Sequence, residues 1–92
     1  MAHPSHQTQL PRLKRIQGQV AGLLRMVEAD RYCADILTQI RAVQAALRST
    51  EQEILKSHIG HCVTHAIDSG DQAERQAKLS ELYDILKRFG TR

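Results

Sequence analysis

Apolar side chains recur along this chain at the spacing of an α-helix. In the first third of the sequence they lie three or four positions apart, at Leu10, Leu13, Ile16, Val20, Leu23 and Val27. This spacing puts them on one face of a helix. Pro11 is compatible with a first helical turn but not with a helix interior. The pattern therefore predicts a first helix over residues 9–28.

A second apolar pattern begins after the polar residues 30–32. It consists of Ile36, Ile40, Val43, Leu47, Ile54, His58 and Cys62. Neither Pro nor Gly occurs between Leu23 and Ile59, so nothing in that stretch forces the chain to reverse. One long second helix is therefore predicted over residues 32–67.

The run Asp-Ser-Gly-Asp at 68–71 is typical of a turn. A third helix is predicted after it, over 72–88, with an apolar stripe made of Leu79, Leu82, Leu86 and Phe89. No segment alternates in the manner of a strand, so the predicted fold class is all-α with three helices. We expect a flexible polar tail over 1–8 and a single helical domain over 9–90.

Composition suggests that one copy of the chain does not complete its own core. The apolar residues of this 92-residue chain are mostly aliphatic, with one Phe, two Tyr and no Trp. Small chains of this kind often complete their cores by forming oligomers. No apolar run approaches the ~18–20 residues of a membrane span, and the first residues lack the apolar region of a secretory signal. We therefore expect a cytoplasmic protein without a membrane partner.

The candidate chemistry lies in two cysteines and a histidine. His58 and Cys62 are four residues apart, so on a helix their side chains lie on one face, one turn apart. Cys33 precedes His58 by 25 residues, which is roughly 37 Å along a straight helix at about 1.5 Å per residue. A metal–sulfur bond is about 2.3 Å long. Either the helix folds back, or the third ligand comes from another copy of the chain.

The long second helix favours the second solution. If two copies of this helix run antiparallel about a two-fold axis, Cys33 of one copy lies beside His58 and Cys62 of the other. Symmetry then creates two identical sites. The helices would cross near residues 46–47, where the small side chains of Ala42, Ala45 and Ala46 allow close packing.

The donor set leaves several ions open. Two thiolates and one imidazole suit Cu(I), a soft ion that accepts few ligands. Zn²⁺ would need a fourth ligand, and Ni²⁺ or Co²⁺ would need more nitrogen or oxygen donors. Four further histidines are candidates for that role: His3, His6, His61 and His65. For His61 and His65, a surface or supporting position is the favoured interpretation.

Charge points weakly to nucleic acid, and catalytic motifs are missing. The net charge is +3, and basic residues are concentrated at Arg12, Lys14 and Arg15, with Arg41 and Arg48 on the second helix. These residues suit contacts with DNA phosphates, although a solvated helix face gives the same pattern. The sequence has no Gly-rich phosphate loop, GxSxG, HExxH or CxxC motif, so we expect neither an enzyme nor a small-molecule substrate.

Two runs of the sequence resemble a known family. LKRIQGQVAGLLRMVEADRYC (13–33) and ADILTQIRAVQAAL (34–47) are similar to the CsoR/RcnR/FrmR family of bacterial transcriptional repressors, and most similar to its copper-sensing CsoR branch. The similarity covers residues 10–88, and the RIxGQV and QIxAVQ segments are specific to this family. The resemblance implies an antiparallel helical-bundle dimer that assembles into a disc-shaped dimer of dimers, with a metal site shared between two protomers.

The resemblance also implies roles for individual residues. The sensing positions of the family fall on Cys33, His58 and Cys62, and Cys-His-Cys is the set of the copper branch. The nickel/cobalt branch has His at the position of Cys62 and recruits the N-terminus, where His3 lies in this chain. The formaldehyde branch also lacks that Cys.

Supporting and DNA-contacting positions follow in the same way. The resemblance places residues that support the metal ligands at Tyr32 and, with a short insertion in the 68–76 turn, at Glu81. The DNA-contacting residue of helix 1 falls on Arg15. A helix 2 Arg that some members use for DNA is replaced by Ser49, beside Arg48.

The sequence thus favours a Cu(I)-responsive repressor that binds operator DNA without metal and releases it when Cu(I) binds. One alternative is a nickel/cobalt sensor. Another is a persulfide or thiol sensor that uses Cys33 and Cys62. A third is a structural or metal-storage bundle without a DNA role.

Overall fold

The computed structural model describes residues 4–90, so His3 lies outside the described residues. A short 3-10 helix at Gln7–Gln9 leads into three α-helices. They are α1 at Leu10–Glu28, α2 at Cys33–Asp68 and α3 at Gln72–Phe89. These bounds confirm the predicted all-α fold with three helices, each within about two residues of its predicted ends. No strand occurs among residues 4–90.

The end of α1 has the hydrogen bonds of a Schellman motif. The Arg31 N–H donates to the Met26 carbonyl at 3.0 Å, and the Asp30 N–H donates to the Val27 carbonyl at 3.1 Å. Asp30 has φ 54°, the left-handed conformation that this motif requires of the residue after the cap. Asp tolerates that conformation better than most residues do. The polar residues 30–32 therefore end α1 and allow α2 to begin at Cys33.

The chain divides into two units, and α2 runs from one into the other. The first unit, His6–Glu51, contains α1 and the beginning of α2. Its buried side chains are Ile16, Val43 and Thr50. The Thr50 hydroxyl donates to the Ala46 carbonyl at 3.0 Å, which satisfies its buried donor.

The second unit is built by the end of α2 and by α3, over residues 52–90. Leu55 and Cys62 are its buried side chains. At the start of α3, the Asp71 carboxylate accepts from the Ala73 N–H at 3.0 Å and caps the helix. The predicted turn at 68–71 lies between Asp68, which ends α2, and Gln72, which begins α3.

The apolar stripe predicted for α3 is largely exposed within one chain. Leu79, Leu86 and Phe89 are exposed, and Leu82 is half-buried. The side chains of α3 that lie less exposed are Lys78, Glu81, Leu82 and Ile85. The spacing of apolar residues along a helix predicts that they share one face. It does not predict which neighbouring helix or chain covers that face. Among residues 4–90, no helix is both long enough and apolar enough to span a membrane.

Candidate metal centre

His58, Cys62 and Glu81 meet in the unit formed by the end of α2 and α3. Their ligand atoms all lie within 4.8 Å of one another. His58 and Cys62 are one turn apart on α2, and the Cys62 Sγ lies 3.6 Å from the His58 Nε2. Glu81 comes from α3 and approaches both. Within residues 4–90 this is the group of His, Cys, Asp and Glu side chains that satisfies the geometry of a metal site.

Glu81 contacts both residues through one oxygen. The Cys62 thiol donates to the Glu81 Oε1 at 3.5 Å, and the His58 Nε2 lies 3.8 Å from the same oxygen. The Cys62 side chain is buried, with 2% of its surface exposed, whereas His58 and Glu81 are half-buried. The sulfur of the site is therefore enclosed, while the side chains of His58 and Glu81 keep part of their surface accessible.

The pKa of Cys62 is raised above the usual thiol range. The largest cause is burial, because a thiolate loses its hydration there. The hydrogen bond to Glu81 and the negative charge of that carboxylate raise the pKa further, and the positive charge of Lys78 partly opposes them. The neutral thiol is therefore the form that this site favours while no ion is bound.

Lys78 affects the site, although no motif in the sequence marks it. It lies on α3 three residues before Glu81, so the two side chains share one face of the helix. The sequence signal for Lys78 is its spacing from Glu81. This spacing identifies Lys78 as a neighbour of the site once Glu81 is known to approach Cys62.

Cys33 and Tyr32, the other two residues of the predicted site, lie in the unit His6–Glu51. Cys33 is exposed at the first residue of α2. Tyr32 precedes it and is 71% exposed. The group of ligand atoms described above contains His58, Cys62 and Glu81 and does not contain Cys33.

The basic candidates lie on α1 and α2 of that same unit. Lys14, Arg15 and Arg48 are exposed, whereas Arg12 is half-buried. A cleft is lined by α1 and α2 residues, namely Arg12, Arg15, Ile16, Gln19, Ala46 and Ser49. Within the described chain, the Arg12 Nη1 and the Gln19 Oε1 are buried there without a protein hydrogen-bond partner. One buried donor and one buried acceptor of this cleft thus have no hydrogen bond within the described chain.

Comparison with known proteins shows which class these features belong to. The family model described as "Metal-sensitive transcriptional repressor" matches residues 5–88, and the chain belongs to this family. Transcriptional repressors are not a class of enzymes.

The names of similar proteins mention two different metals, copper and nickel. The copper-sensing transcriptional repressor CsoR of Bacillus subtilis is 54% identical over 78 residues, which cover 85% of this chain and 74% of that protein. The solved structure of a copper-sensing repressor CsoR with Cu(I) from Geobacillus thermodenitrificans is 42% identical, with a TM-score of 0.76 and coverage of 99% of this chain and 95% of that chain. The nickel-responsive transcriptional regulator InrS is 35% identical, with a TM-score of 0.80 and 97% coverage of both chains.

Proposed function

We propose that this chain is a Cu(I)-sensing transcriptional repressor. The protein without metal binds operator DNA, and binding of Cu(I) lowers its affinity for DNA, so that copper-resistance genes are expressed. The observation that carries this proposal is the convergence of His58, Cys62 and Glu81 in a chain that is 54% identical to a copper-sensing repressor. The protein acts in the cytoplasm, where operator DNA is present.

The donor atoms of the site fit a soft ion. The thiolate of Cys62 and the imidazole of His58 suit Cu(I), whereas a carboxylate oxygen suits harder ions. Glu81 therefore acts as a hydrogen-bond partner of the ligands and not as a ligand itself. Cys33 from a second protomer supplies the remaining sulfur, because the antiparallel pairing of two α2 helices brings it to this position.

Occupation of the site changes the hydrogen bonds of Glu81. In the metal-free chain the Cys62 thiol donates to the Glu81 Oε1. Cys62 gives up its proton when it binds the ion, so Glu81 loses that donor. The His58 ring, whose Nε2 lies 3.8 Å away, would then be the partner of Glu81 within the group, with the proton on Nε2 and with Nδ1 left for the ion. Because Glu81 belongs to α3, the state of the site is transmitted to that helix.

The binding of DNA and of Cu(I) must be coupled with equal strength in both directions. If Cu(I) lowers the affinity for the operator by a given factor, the operator lowers the affinity for Cu(I) by the same factor. The DNA surface is formed by Arg12, Lys14, Arg15 and Arg48, which contact phosphates. The working form is a homotetramer built from antiparallel homodimers.

A titration of the untagged protein with Cu(I), combined with X-ray absorption and an operator-binding assay, tests this function. We expect one Cu(I) per chain with two sulfur neighbours and one nitrogen neighbour, and weaker operator binding in the loaded protein. His58→Ala removes the nitrogen ligand and should weaken the response to Cu(I), with His6→Ala as the control. Equal operator affinity of the metal-free and loaded forms would contradict the proposal.

A nickel response is the second candidate, because the nickel-responsive InrS is 35% identical and aligns over 97% of the chain. Nickel would need further nitrogen or oxygen donors beside Cys62 and His58. A competition titration separates the two functions. A sensor of nickel releases the operator with Ni²⁺ at concentrations where Cu(I) has no effect, and a sensor of copper does the reverse.

Thiol sensing is the third candidate, since Cys33 is exposed and Cys62 belongs to the ligand group. A bridge between these two sulfurs does not require an imidazole. His58→Ala therefore separates the mechanisms: it weakens a response to Cu(I) and leaves a response to persulfide unchanged.

A further inference from the structure

Two further histidines form a ring pair on α2. The ring centroids of His61 and His65 lie 4.3 Å apart, with 42° between the ring planes. His61 is half-buried and His65 is exposed. Neither residue belongs to the group formed by His58, Cys62 and Glu81. The proposed function therefore leaves this pair unexplained.

The spacing of the pair suits a metal ion. Residues four apart on a helix stack their side chains one turn above the other on the same face. Two histidines at this spacing on one helix face are a known way to hold zinc. Bonds from a metal to imidazole nitrogen are about 2.0–2.1 Å long, so two nitrogens that share an ion lie no more than about 4.2 Å apart. The two ring centroids are 4.3 Å apart, so rotation of the two side chains is enough to turn one nitrogen of each ring toward a common ion.

The donors of the pair differ from those of the sulfur-containing group. Two imidazoles without a thiolate suit ions of intermediate softness, namely Zn²⁺, Ni²⁺ or Cu²⁺. We propose that His61 and His65 form a second metal site, which binds a divalent ion of this class and leaves the rest of its coordination shell to water. This inference does not rest on the proposed function of the first site.

Because the two sites offer different donor atoms, each would bind a different ion. Cu(I) is retained by the sulfur-containing group, while the divalent ion occupies the histidine pair on the neighbouring part of α2. Binding of an ion to both histidines joins two successive turns of the helix. The folded state is therefore stabilised, and the stabilisation rises with the logarithm of the free ion concentration once the pair is saturated.

The test uses untagged protein that has first received one equivalent of Cu(I) per chain under anaerobic conditions. Ni²⁺ is then added and followed by calorimetry, and its surroundings are read by X-ray absorption at the nickel edge. We expect one Ni²⁺ per chain with nitrogen and oxygen neighbours. His61→Gln and His65→Gln should each weaken this binding at least about tenfold, because one ligand of a two-point attachment is removed.

Thr64→Gln is the matched control, since it introduces the same side chain at an exposed position of α2 beside the pair without removing a histidine, and it should leave Ni²⁺ binding unchanged. Sulfur in the nickel shell, an equal loss in the control, or no binding of Ni²⁺ would each overturn the inference. If the chain takes no Cu(I), the proposed function fails, but the comparison of His61→Gln with Thr64→Gln in the metal-free protein still tests the pair. Equal Ni²⁺ affinity of those two variants would then refute it.

Discussion

Glu81 is the residue that links the candidate metal ligands to the rest of the unit. It accepts a hydrogen bond from Cys62 and lies 3.8 Å from the His58 Nε2. Helical periodicity assigns it no role, because a charged residue on an amphipathic helix is usually exposed. The family resemblance marks it as a supporting residue, and the geometry shows its two contacts.

At this scale we predict that Glu81→Gln lowers the pKa of the Cys62 thiol. The substitution removes the negative charge that helps to hold the proton on the sulfur, while burial, the largest cause, remains. The pKa should therefore fall but stay above the usual thiol range. Titration by the ultraviolet absorbance of the thiolate, in a Cys33→Ser background that leaves Cys62 as the single thiol of the sequence, measures the change. Glu74→Gln makes the same substitution in the first turn of α3 and should have no effect.

The same change has a consequence for stability. Because the folded state holds the Cys62 proton above the pH at which the unfolded chain loses it, the free energy of unfolding falls as pH rises above about 8.5. In Glu81→Gln this fall should be smaller. Denaturant titrations across that pH range check it, and an unchanged slope together with an unchanged thiol pKa would show that Glu81 has no electrostatic role.

The helix ends determine where the functional side chains lie along each element. The hydrogen bonds around Asp30 end α1 and allow α2 to begin at Cys33. Asp71 caps α3, the helix that carries Glu81. Local polar residues predicted both breaks, because the conformations that end helices depend on few neighbours. The long α2 followed in the same way from the absence of residues that interrupt helices.

We expect Asp30→Val to destabilise the protein by about 1–2 kcal/mol, since a β-branched residue resists the left-handed conformation. Asp30→Gly adopts φ 54° freely, and should leave stability equal or slightly higher. Denaturant unfolding at one protein concentration compares the two variants. Equal losses would mean that the Asp30 side chain matters and its backbone conformation does not.

The cap of α3 should also contribute to the free energy of unfolding. Asp71→Ala removes the acceptor of the Ala73 N–H and should lower the free energy of unfolding by about 1 kcal/mol. Asp71→Asn retains an acceptor oxygen at the same position and is the control. Thermal unfolding of both variants provides the measurement. A loss of equal size in Asp71→Asn would assign the effect to the charge.

At the scale of the molecule, a single chain leaves much apolar surface exposed. In the unit over residues 52–90, Ile67 is 71% exposed and Leu79 is 53% exposed. These residues line an open apolar cleft together with Val63 and Ala66. Contiguous apolar surface of this kind is typical of a face that another chain covers, in agreement with the proposed homotetramer.

Leu79→Asp should therefore weaken self-association at least about tenfold, because a symmetric interface loses a buried leucine on each side. Sedimentation over a range of protein concentrations measures this. Ser80→Asp introduces the same charge at the next position, which is exposed and polar, and should leave the assembly unchanged. An unaltered assembly in Leu79→Asp would exclude this face from the interface.

DNA binding also belongs to the whole molecule, because it sums the attraction of several basic side chains to phosphates. Arg15→Ala should weaken operator binding and reduce the slope of log affinity against log salt by about 1 for each phosphate that the substitution leaves without its arginine. Lys56→Ala removes an exposed positive charge from the other unit and is the control. Fluorescence anisotropy at several salt concentrations distinguishes the two, and equal slopes for Arg15→Ala and the unaltered chain would remove Arg15 from the DNA surface.

The sequence by itself determined the class of fold, the helix bounds and the His58–Cys62 pair, because these depend on periodicity and on residues close in the chain. The tertiary structure decided which side chains of α3 meet that pair. Glu81 lies 19 positions from Cys62, and such a contact depends on how two helices pack, which no local pattern encodes. The tertiary structure also decided which face of α3 packs inward, and it leaves the stripe containing Leu79 exposed within one chain. The period of a stripe does not say whether the same chain or another copy covers it.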